Sequence, residues 1–283
     1  MSRFLLYTAL VTPFTEEDLI DFDALGKLVE SQIEAGYEGL IVLGTTGEAA
    51  ALSLDERVMV IRYLRKIIPD TVSMIVGVGS NNLEETLRNI QIASELKADA
   101  VLVVTPYYVC PNQEGLYRYY ERIAKHCPLP IYLYNVKRRC GVELEPKTVD
   151  RLISKYTNII GLKQAGGGYD QYVYLKKKYP HFQLFSGDDG KIFEAMELGF
   201  DGIISVLSNA LPEVFVEYRK KFNRKEYEGD LKDLEWMCGV LYSEPTPAPT
   251  KYVLSRRGIG NGKLRLPLCE VSDELRDVLE YLV

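Results

Sequence analysis

The sequence predicts an α/β protein that folds as a closed (β/α)8 barrel, the TIM barrel architecture, with a helical appendage at its C-terminal end. Three observations predict this fold: eight short apolar runs, helix-length segments between them, and a first strand without a glycine-rich phosphate turn after it. The third observation favours the barrel over an open doubly wound sheet. We assign residues 1–223 to the barrel and residues 224–283 to a helical extension packed on it.

The eight apolar runs are the predicted strands. Most of them are continuous rather than alternating, as strands buried on both faces should be. They occupy residues 5–11, 39–43, 73–78, 100–104, 130–134, 159–162, 182–185 and 202–206.

The segments between the runs carry helix signals. Asp21 precedes apolar residues that recur on one helical face. Ser53-Leu54-Asp55-Glu56 is a capping box, and Asn82-Leu83-Glu84-Glu85 is interpreted as a second one. Pro146 suits the first turn of a helix, and Leu211-Pro212-Glu213 begins the last helix of the barrel.

The appendage is predicted to contain two helices joined by a connector. Residues 225–241 and 272–282 have helical patterns. Three prolines among residues 245–249 predict an extended connector over residues 244–249, because proline disfavours a helix interior.

Composition narrows the possible functions. A formal charge of −6 without a long basic run argues against nucleic acid as the main partner. No apolar run approaches about 18 residues, so no membrane-spanning helix is expected. Five scattered cysteines without a CxxC pair predict a reduced, cytoplasmic protein. Two isolated histidines predict no histidine-built metal site.

A lysine follows the sixth apolar run. Lys163 comes directly after residues 159–162 and before three glycines at 166–168. Because the carboxyl ends of barrel strands meet at one mouth, Lys163 is a candidate site residue. Desolvation there lowers the pKa of a lysine and frees its amine to attack a carbonyl. The alternative is a solvated lysine at a strand end, which is the commoner fate of such a residue.

The other predicted strand ends are rich in hydroxyls and glycines, a set that suits Schiff-base chemistry. Tyr134, one strand before Lys163, is the candidate proton carrier, although a core tyrosine is the alternative. Gly44-Thr45-Thr46-Gly47 offers amides and hydroxyls to a small carboxylate, although a plain strand-to-helix turn is the alternative. Asp188 and Asp189 are interpreted as a helix cap or as solvated carboxylates rather than metal ligands.

Five motifs stand in the order and spacing of one enzyme family. They are Gly44-Thr45-Thr46-Gly47-Glu48, Thr105-Pro106-Tyr107-Tyr108, Tyr134-Asn135-Val136, Gly161-Leu162-Lys163 and Ser186-Gly187-Asp188-Asp189. On these motifs the chain resembles the class I pyruvate-dependent lyase family, which contains dihydrodipicolinate synthases and N-acetylneuraminate lyases. Thr45, Arg139 and the segments 244–251 and 264–268 are similar to the synthase branch.

The resemblance implies a reaction and the residues that perform it. Pyruvate would form an imine with Lys163 and condense with L-aspartate 4-semialdehyde to 4-hydroxy-tetrahydrodipicolinate, a step of lysine and diaminopimelate biosynthesis. Tyr134 is implied as general acid and base. Thr45 and Tyr108 would complete a hydroxyl relay, with Tyr108 serving the neighbouring subunit. The resemblance implies no cofactor beyond the imine, no metal, and a homotetramer built from tight dimers.

The resemblance also implies four substrate-binding contacts. They are Thr46 and the backbone at Ile204 to the pyruvate carboxylate, Gly187 in the pocket wall, and Arg139 to the carboxylate of the semialdehyde.

The chain departs from the family pattern after Tyr134-Asn135-Val136. Where the family usually has proline, a small polar residue, arginine, threonine and glycine, the chain reads Lys137-Arg138-Arg139-Cys140-Gly141. Either Arg138 or Arg139 could therefore face the substrate, and the spacing favours Arg139.

A lysine effector site is matched only in part. Asn81, Glu85 and Tyr107 fit the positions that bind lysine in lysine-inhibited relatives, whereas Ala49 and Leu54 replace polar residues. We therefore expect weak or absent inhibition by lysine.

Two other functions remain open from the sequence. One is a lyase on the same scaffold that releases pyruvate from a 2-keto sugar acid, such as N-acetylneuraminate or 2-keto-3-deoxygluconate. Arg139 argues against it, because a sugar site favours neutral hydroxyl partners. The other is a catalytically inactive barrel that only binds a ligand, against which the retained Lys163, Tyr134, Thr45 and Tyr108 argue.

Overall fold

Eight parallel strands form one closed barrel in chain order in the computed structural model, which describes residues 4–283. The predicted fold class is confirmed. The strands are β1 (Leu5–Ala9), β2 (Gly39–Val42), β3 (Ser73–Gly77), β4 (Ala100–Val104), β5 (Ile131–Val136), β6 (Ile159–Ala165), β7 (Gln183–Ser186) and β8 (Gly202–Ser205).

Helices follow the strands around the barrel and continue into the C-terminal extension. They are α1 (Phe22–Glu34), α2 (Leu54–Ile67), α3 (Leu83–Glu95), α4 (Gln113–His126), α5 (Lys137–Cys140), α6 (Pro146–Ile153), α7 (Val173–Lys178), α8 (Ile192–Glu197), α9 (Pro212–Arg224), α10 (Leu231–Leu241), α11 (Ala248–Arg256) and α12 (Asp273–Leu279). Within residues 4–283, no helix has both the length and the apolar character that a membrane crossing requires.

The strands are buried on both faces, which explains why their sequences are continuous apolar runs. Every residue of β1, β2, β5 and β8 is buried. Two strands extend beyond the predicted runs, because β5 continues to Val136 and β6 to Ala165. Lys163 therefore lies inside a strand rather than just after one. The apolar pattern ends early because polar residues occupy the carboxyl ends of these strands.

The predicted helix starts are mostly confirmed. Asp21 and Ser53 are N-caps, and Ser53 forms the predicted capping box. The second box is wrong. Asn82 caps α3 with its side chain, but its own amide donates to the hydroxyl of Ser80 at 3.2 Å. The carboxylate of Glu85 accepts from the same hydroxyl at 2.8 Å.

The C-terminal extension differs from the prediction at two points. Lys225, with φ 61°, ends α9 in the left-handed region, and α10 begins only at Leu231. The connector is also shorter than predicted, because α11 begins at Ala248 and holds Pro249 in its first turn. Proline is tolerated there since the first-turn amides have no partner within the helix. Ser272 caps α12 near its predicted start.

The described chain divides into two compact units. One comprises residues 4–5 and 73–204, and the other comprises residues 6–72 and 205–283. The predicted boundary between residues 223 and 224 remains a prediction.

A buried ion pair, which we call the Glu48–Lys251 anchor, ties α11 to the turn after β2 within the second unit. The ammonium of Lys251 lies 2.5 Å from the carboxylate of Glu48, and their side chains are 4% and 1% exposed. Lys251 also lies over the ring of Phe14 at 4.1 Å. Arg265, 2.6 Å from the carboxylate of Glu56, covers the same ring at 4.5 Å. Helix α11 and the loop that holds Arg265 are thus fixed to Phe14, the turn after β2 and α2.

Candidate active site

Lys163 is a buried amine on β6. Lys163 is only 4% exposed, which excludes the alternative of a solvated lysine at a strand end. In the strand register Lys163 stands beside Tyr134 of β5 and Phe185 of β7. Its ammonium nitrogen lies 4.7 Å from the centroid of the Tyr134 ring. The structure therefore brings together the two residues on which the sequence argument rests.

The surroundings of Lys163 favour its neutral form. Burial lowers the pKa of Lys163 to about 8 from the ordinary 10.5, because the charged form loses its hydration. The carboxylates of Asp189 and Asp188 oppose this shift, and the charge of Arg139 adds to it. A useful fraction of the amine is thus unprotonated near neutral pH, as a nucleophile requires.

Gly187 makes room for the lysine side chain. A β-carbon built on Gly187 would lie 2.8 Å from the ε-carbon of Lys163 and 2.8 Å from the β-carbon of Ala165. Real β-carbons do not approach so closely, so any larger residue at position 187 would displace the lysine. The absence of a side chain at Gly187 is thus a requirement of the Lys163 geometry.

Asp188 holds the glycine turn that follows β6. Its carboxylate accepts from the amides of Gly166 at 2.6 Å and Gly167 at 3.2 Å, and from the hydroxyl of Tyr169 at 2.7 Å. The glycines at 166, 167 and 168 have φ of 104°, 78° and 66°. The prediction that Asp188 caps a helix or is solvated is wrong, since its side chain caps no helix and is engaged in this turn.

Arg139 lies on the one-turn helix α5, next to the site. Lys137, Arg138 and Arg139 are all exposed, and Lys137 pairs with Glu143 at 3.3 Å. Only Arg139 of these three cations is close enough to affect the pKa of Lys163. This placement favours Arg139 over Arg138 as the partner of an anionic substrate.

A model of the dihydrodipicolinate synthetase family matches residues 4–283. The chain belongs to this family. The resemblance that the sequence motifs carry is thereby confirmed.

Relatives over the full length agree with this assignment. A 4-hydroxy-tetrahydrodipicolinate synthase of Kosmotoga olearia is 41% identical over 284 residues, covering 96% of this chain and 95% of that protein. The structure of a monomeric dihydrodipicolinate synthase variant superposes with a TM-score of 0.93 at 35% identity, covering 99% of this chain and 96% of that one. The chloride-inhibited synthase of Acinetobacter baumannii, solved with pyruvate, gives a TM-score of 0.91 at 35% identity, with 100% and 98% coverage.

The remaining residues that the family resemblance implies lie at other strand ends. Thr45 and Thr46 form the turn after β2 in the second unit, with Thr45 exposed and Thr46 buried. Ile204 is buried in β8. Tyr108 is 89% exposed and has φ of 74°. The contacts of these four residues with substrate remain predictions.

The positions that match a lysine effector site of the family converge in part. Tyr119 accepts or donates a hydrogen bond with Thr86 at 2.8 Å, and burial raises its pKa to about 12. Tyr107 and Glu85 both act on the pKa of Tyr119, so they lie around the same phenol, whereas Asn81 is exposed. The expectation of weak lysine inhibition remains a prediction.

The part of the chain that the structure describes contains no group of three or more histidine, cysteine, aspartate or glutamate side chains that could hold a metal ion.

Proposed function

We propose that the chain catalyses the condensation of pyruvate with L-aspartate 4-semialdehyde to 4-hydroxy-tetrahydrodipicolinate. The family match and the names of the full-length relatives support this activity. The observation that carries the proposal is the buried amine of Lys163, with its pKa lowered to about 8 and the Tyr134 ring beside it.

The first half of the proposed reaction activates pyruvate. The neutral amine of Lys163 adds to the keto carbon, and loss of one water gives a protonated imine. This cation withdraws electrons, so a proton leaves the methyl carbon and an enamine forms. Both steps move protons, and the proposal assigns these transfers to Tyr134, the neighbouring phenol in the strand register.

The second half joins the two substrates. The enamine carbon attacks the aldehyde carbon of the semialdehyde, whose oxygen takes up a proton. The amino group of the semialdehyde then attacks the imine carbon, closes the ring and releases Lys163 as a free amine. The sum is one product and one water from two substrates. The reaction involves no oxidation or reduction. The imine on Lys163 is the only covalent bond that it requires between protein and substrate.

Arg139 is the proposed partner of the semialdehyde carboxylate. A guanidinium binds a carboxylate through two parallel hydrogen bonds, a geometry that lysine does not offer. The same cation helps to keep Lys163 neutral. Thr46, the backbone at Ile204 and Gly187 complete the proposed pyruvate pocket.

The proposed relay needs a second chain. Tyr108 is 89% exposed in one chain, and an isolated surface phenol cannot shuttle protons in a desolvated site. We therefore propose that Tyr108 serves the site of a partner subunit and that Thr45 links it to Tyr134. The proposed assembly is a homotetramer of tight dimers, and the proposed location is the cytoplasm.

Reductive trapping tests the proposal. The protein is treated with borohydride in the presence of pyruvate and digested, and the peptides are weighed by mass spectrometry. A reduced pyruvate adduct on Lys163, together with product formation after addition of the semialdehyde, is the expected result. No adduct would favour a ligand-binding barrel. An adduct combined with cleavage of N-acetylneuraminate, but no condensation, would favour the sugar-acid lyase.

A further inference from the structure

The loop that carries Arg139 is closed at its base by one buried amide. Asn135, the last polar residue of β5, accepts from the amide of Leu144 at 2.9 Å. Its side-chain nitrogen lies 3.3 Å from the carbonyl oxygen of the same residue. Residues 136–143 lie between these two positions. The side chain of Asn135 thus bridges the two ends of the loop as a backbone strand would.

Two further buried side chains fix the orientation of that amide. Asn135 donates to the side-chain oxygen of Gln164 at 2.8 Å and to the hydroxyl of Tyr172 at 2.9 Å. Tyr172 in turn donates to the carbonyl of Leu144 at 2.7 Å. Gln164 donates to the carbonyl of Gly167 at 2.9 Å. Because Asn135, Gln164 and Tyr172 are all buried, each lost bond would leave a polar group without water to replace it.

A second amide holds the same loop from the outside. Gln113, the first residue of α4, donates to the carbonyl of Glu143 at 2.7 Å. Its oxygen accepts from the hydroxyl of Thr148 at 2.6 Å and from the amide of Glu145 at 3.2 Å. Gln113 is only half-buried. The end of the loop at residues 143–145 is therefore hydrogen-bonded on two sides, by Asn135 in the barrel wall and by Gln113 at the surface.

We propose that this amide clamp, formed by Asn135 and Gln113, positions Arg139 and so sets the affinity for the second substrate, an aldehyde that carries a carboxylate. The inference rests on the proposed function. Both amides are positioning residues that act through Arg139. Neither the sequence motif nor the family match assigns this role to them.

The clamp affects the two substrates differently. Arg139 is exposed on a one-turn helix, so its place depends on how the loop base is held. Lys163 is held by its backbone register with Tyr134 and Phe185 and packs against Gly187, and neither interaction uses the side chain of Asn135 or Gln113. Loosening the clamp should therefore weaken binding of the acidic aldehyde and spare imine formation with pyruvate.

Asn135→Ala tests the inner half of the clamp. The expected KM for the semialdehyde rises by about tenfold to a hundredfold, since small displacements of a binding group have effects of this size. The KM for pyruvate and the yield of borohydride-trapped adduct should stay within about twofold, which is no more than the effect of one weak hydrogen bond.

Two further variants keep the test decisive if Asn135→Ala folds poorly. Gln113→Ala removes a half-buried side chain, and its semialdehyde KM should rise by about threefold, as the loss of its single hydrogen bond to residues 136–143, the one to the carbonyl of Glu143, predicts. Asn158→Ala is the matched control. Asn158 also donates to two backbone carbonyls, those of Ala124 at 2.9 Å and Cys127 at 3.1 Å, but it lies just before the opposite end of β6. It should lower the melting temperature without changing either KM.

The outcomes separate this inference from the proposed function. If the unaltered protein forms no pyruvate adduct, the proposed function fails, and the inference about the clamp fails with it. If the adduct forms but both KM values rise together in Asn135→Ala and Gln113→Ala, the clamp has no selective role. The same holds if Asn158→Ala reproduces their pattern.

Discussion

Burial of Lys163 lowers the stability of the folded chain while the amine is charged. The difference between a pKa of 10.5 and one of about 8 corresponds to about 3 kcal/mol of unfavourable free energy for the charged form in the folded chain. The folded chain binds fewer protons than the unfolded chain between these two pH values. Stability from this residue therefore rises with pH from about 8 to 10.5 and is lowest below that window. The same burial makes the amine nucleophilic, so one residue links a stability cost to reactivity.

The pH dependence of imine formation should follow this amine. We expect the rate of pyruvate trapping to rise with pH and to level off above about 8, because only neutral Lys163 attacks. Arg139→Met should move the midpoint to higher pH, since it removes a positive charge that disfavours protonation. Arg138→Met is the matched control and should leave the midpoint in place. Borohydride trapping at fixed times across a pH series gives the midpoint for the unaltered protein and for both variants. Equal midpoints in the three proteins would contradict the assignment of Arg139.

Gly187→Ala should disable the site while sparing the fold. The added methyl group would lie 2.8 Å from the side chain of Lys163, so the amine must move. We expect a drop of about a hundredfold in kcat, the size that a misplacement of about 1 Å produces. Gly239→Ala is the control, because nothing lies within 4 Å of a β-carbon there. Steady-state assays measure kcat and circular dichroism measures the fold of each variant. An unchanged kcat in Gly187→Ala would contradict the requirement for glycine at this position.

Single residues were predicted unevenly from the sequence. Lys163 and Tyr134 could be predicted as neighbours because they stand at the ends of adjacent strands, and the structure brings them together. The role of Asp188 was missed, because it bonds the amides of Gly166 and Gly167, more than twenty residues earlier in the chain. A contact of that range leaves no local pattern.

Helix boundaries were predicted best where a capping residue or a proline fixes the start of the helix. Ser53 and Pro146 mark helix starts in the sequence and in the structure. The start of α10 was misplaced, because Lys225 adopts a left-handed conformation that a lysine rarely takes. The pattern of residues 225–230 is helical, but the chain turns there instead.

The Glu48–Lys251 anchor should be the strongest single polar tie between α11 and the turn after β2. Lys251→Met leaves the carboxylate of Glu48 buried without its ammonium partner, so we expect a loss of about 3–5 kcal/mol of unfolding free energy. Glu48→Gln combined with Lys251→Met should lose less, because no charge is left unpaired. Lys220→Met is the control, since Lys220 forms an exposed pair with Glu217 that is worth little. Urea unfolding measures the series, and equal losses in the single and double variants would contradict the pairing.

At the scale of the whole molecule, the barrel was predictable from periodicity, whereas the assembly is implied by the family resemblance alone and remains a prediction. Eight buried apolar runs with helical segments between them leave few folds open. A shared site between subunits has no signature in the periodicity of one chain. Only the family resemblance implies such a role for Tyr108, which is a surface phenol in a left-handed conformation after β4.

Mixed subunits should reveal whether Tyr108 crosses between chains. Lys163→Met should be inactive alone, and Tyr108→Phe should be weak. Co-expressed in equal amounts, they form mixed dimers in which one site has both intact residues. We expect about a quarter of the unaltered activity, from random pairing in a two-fold dimer. Activity equal to the average of the two parent variants would place Tyr108 in its own chain's site.

The glycine turn after β6 limits how this chain can vary. Gly166 and Gly167 have open space around the place where a side chain would go, yet both have φ values that L-residues rarely adopt. Handedness, rather than volume, limits substitution there. A synthetic chain with D-alanine at either position would keep the turn, whereas ribosomal evolution, confined to one enantiomer, has almost no choice but the achiral residue.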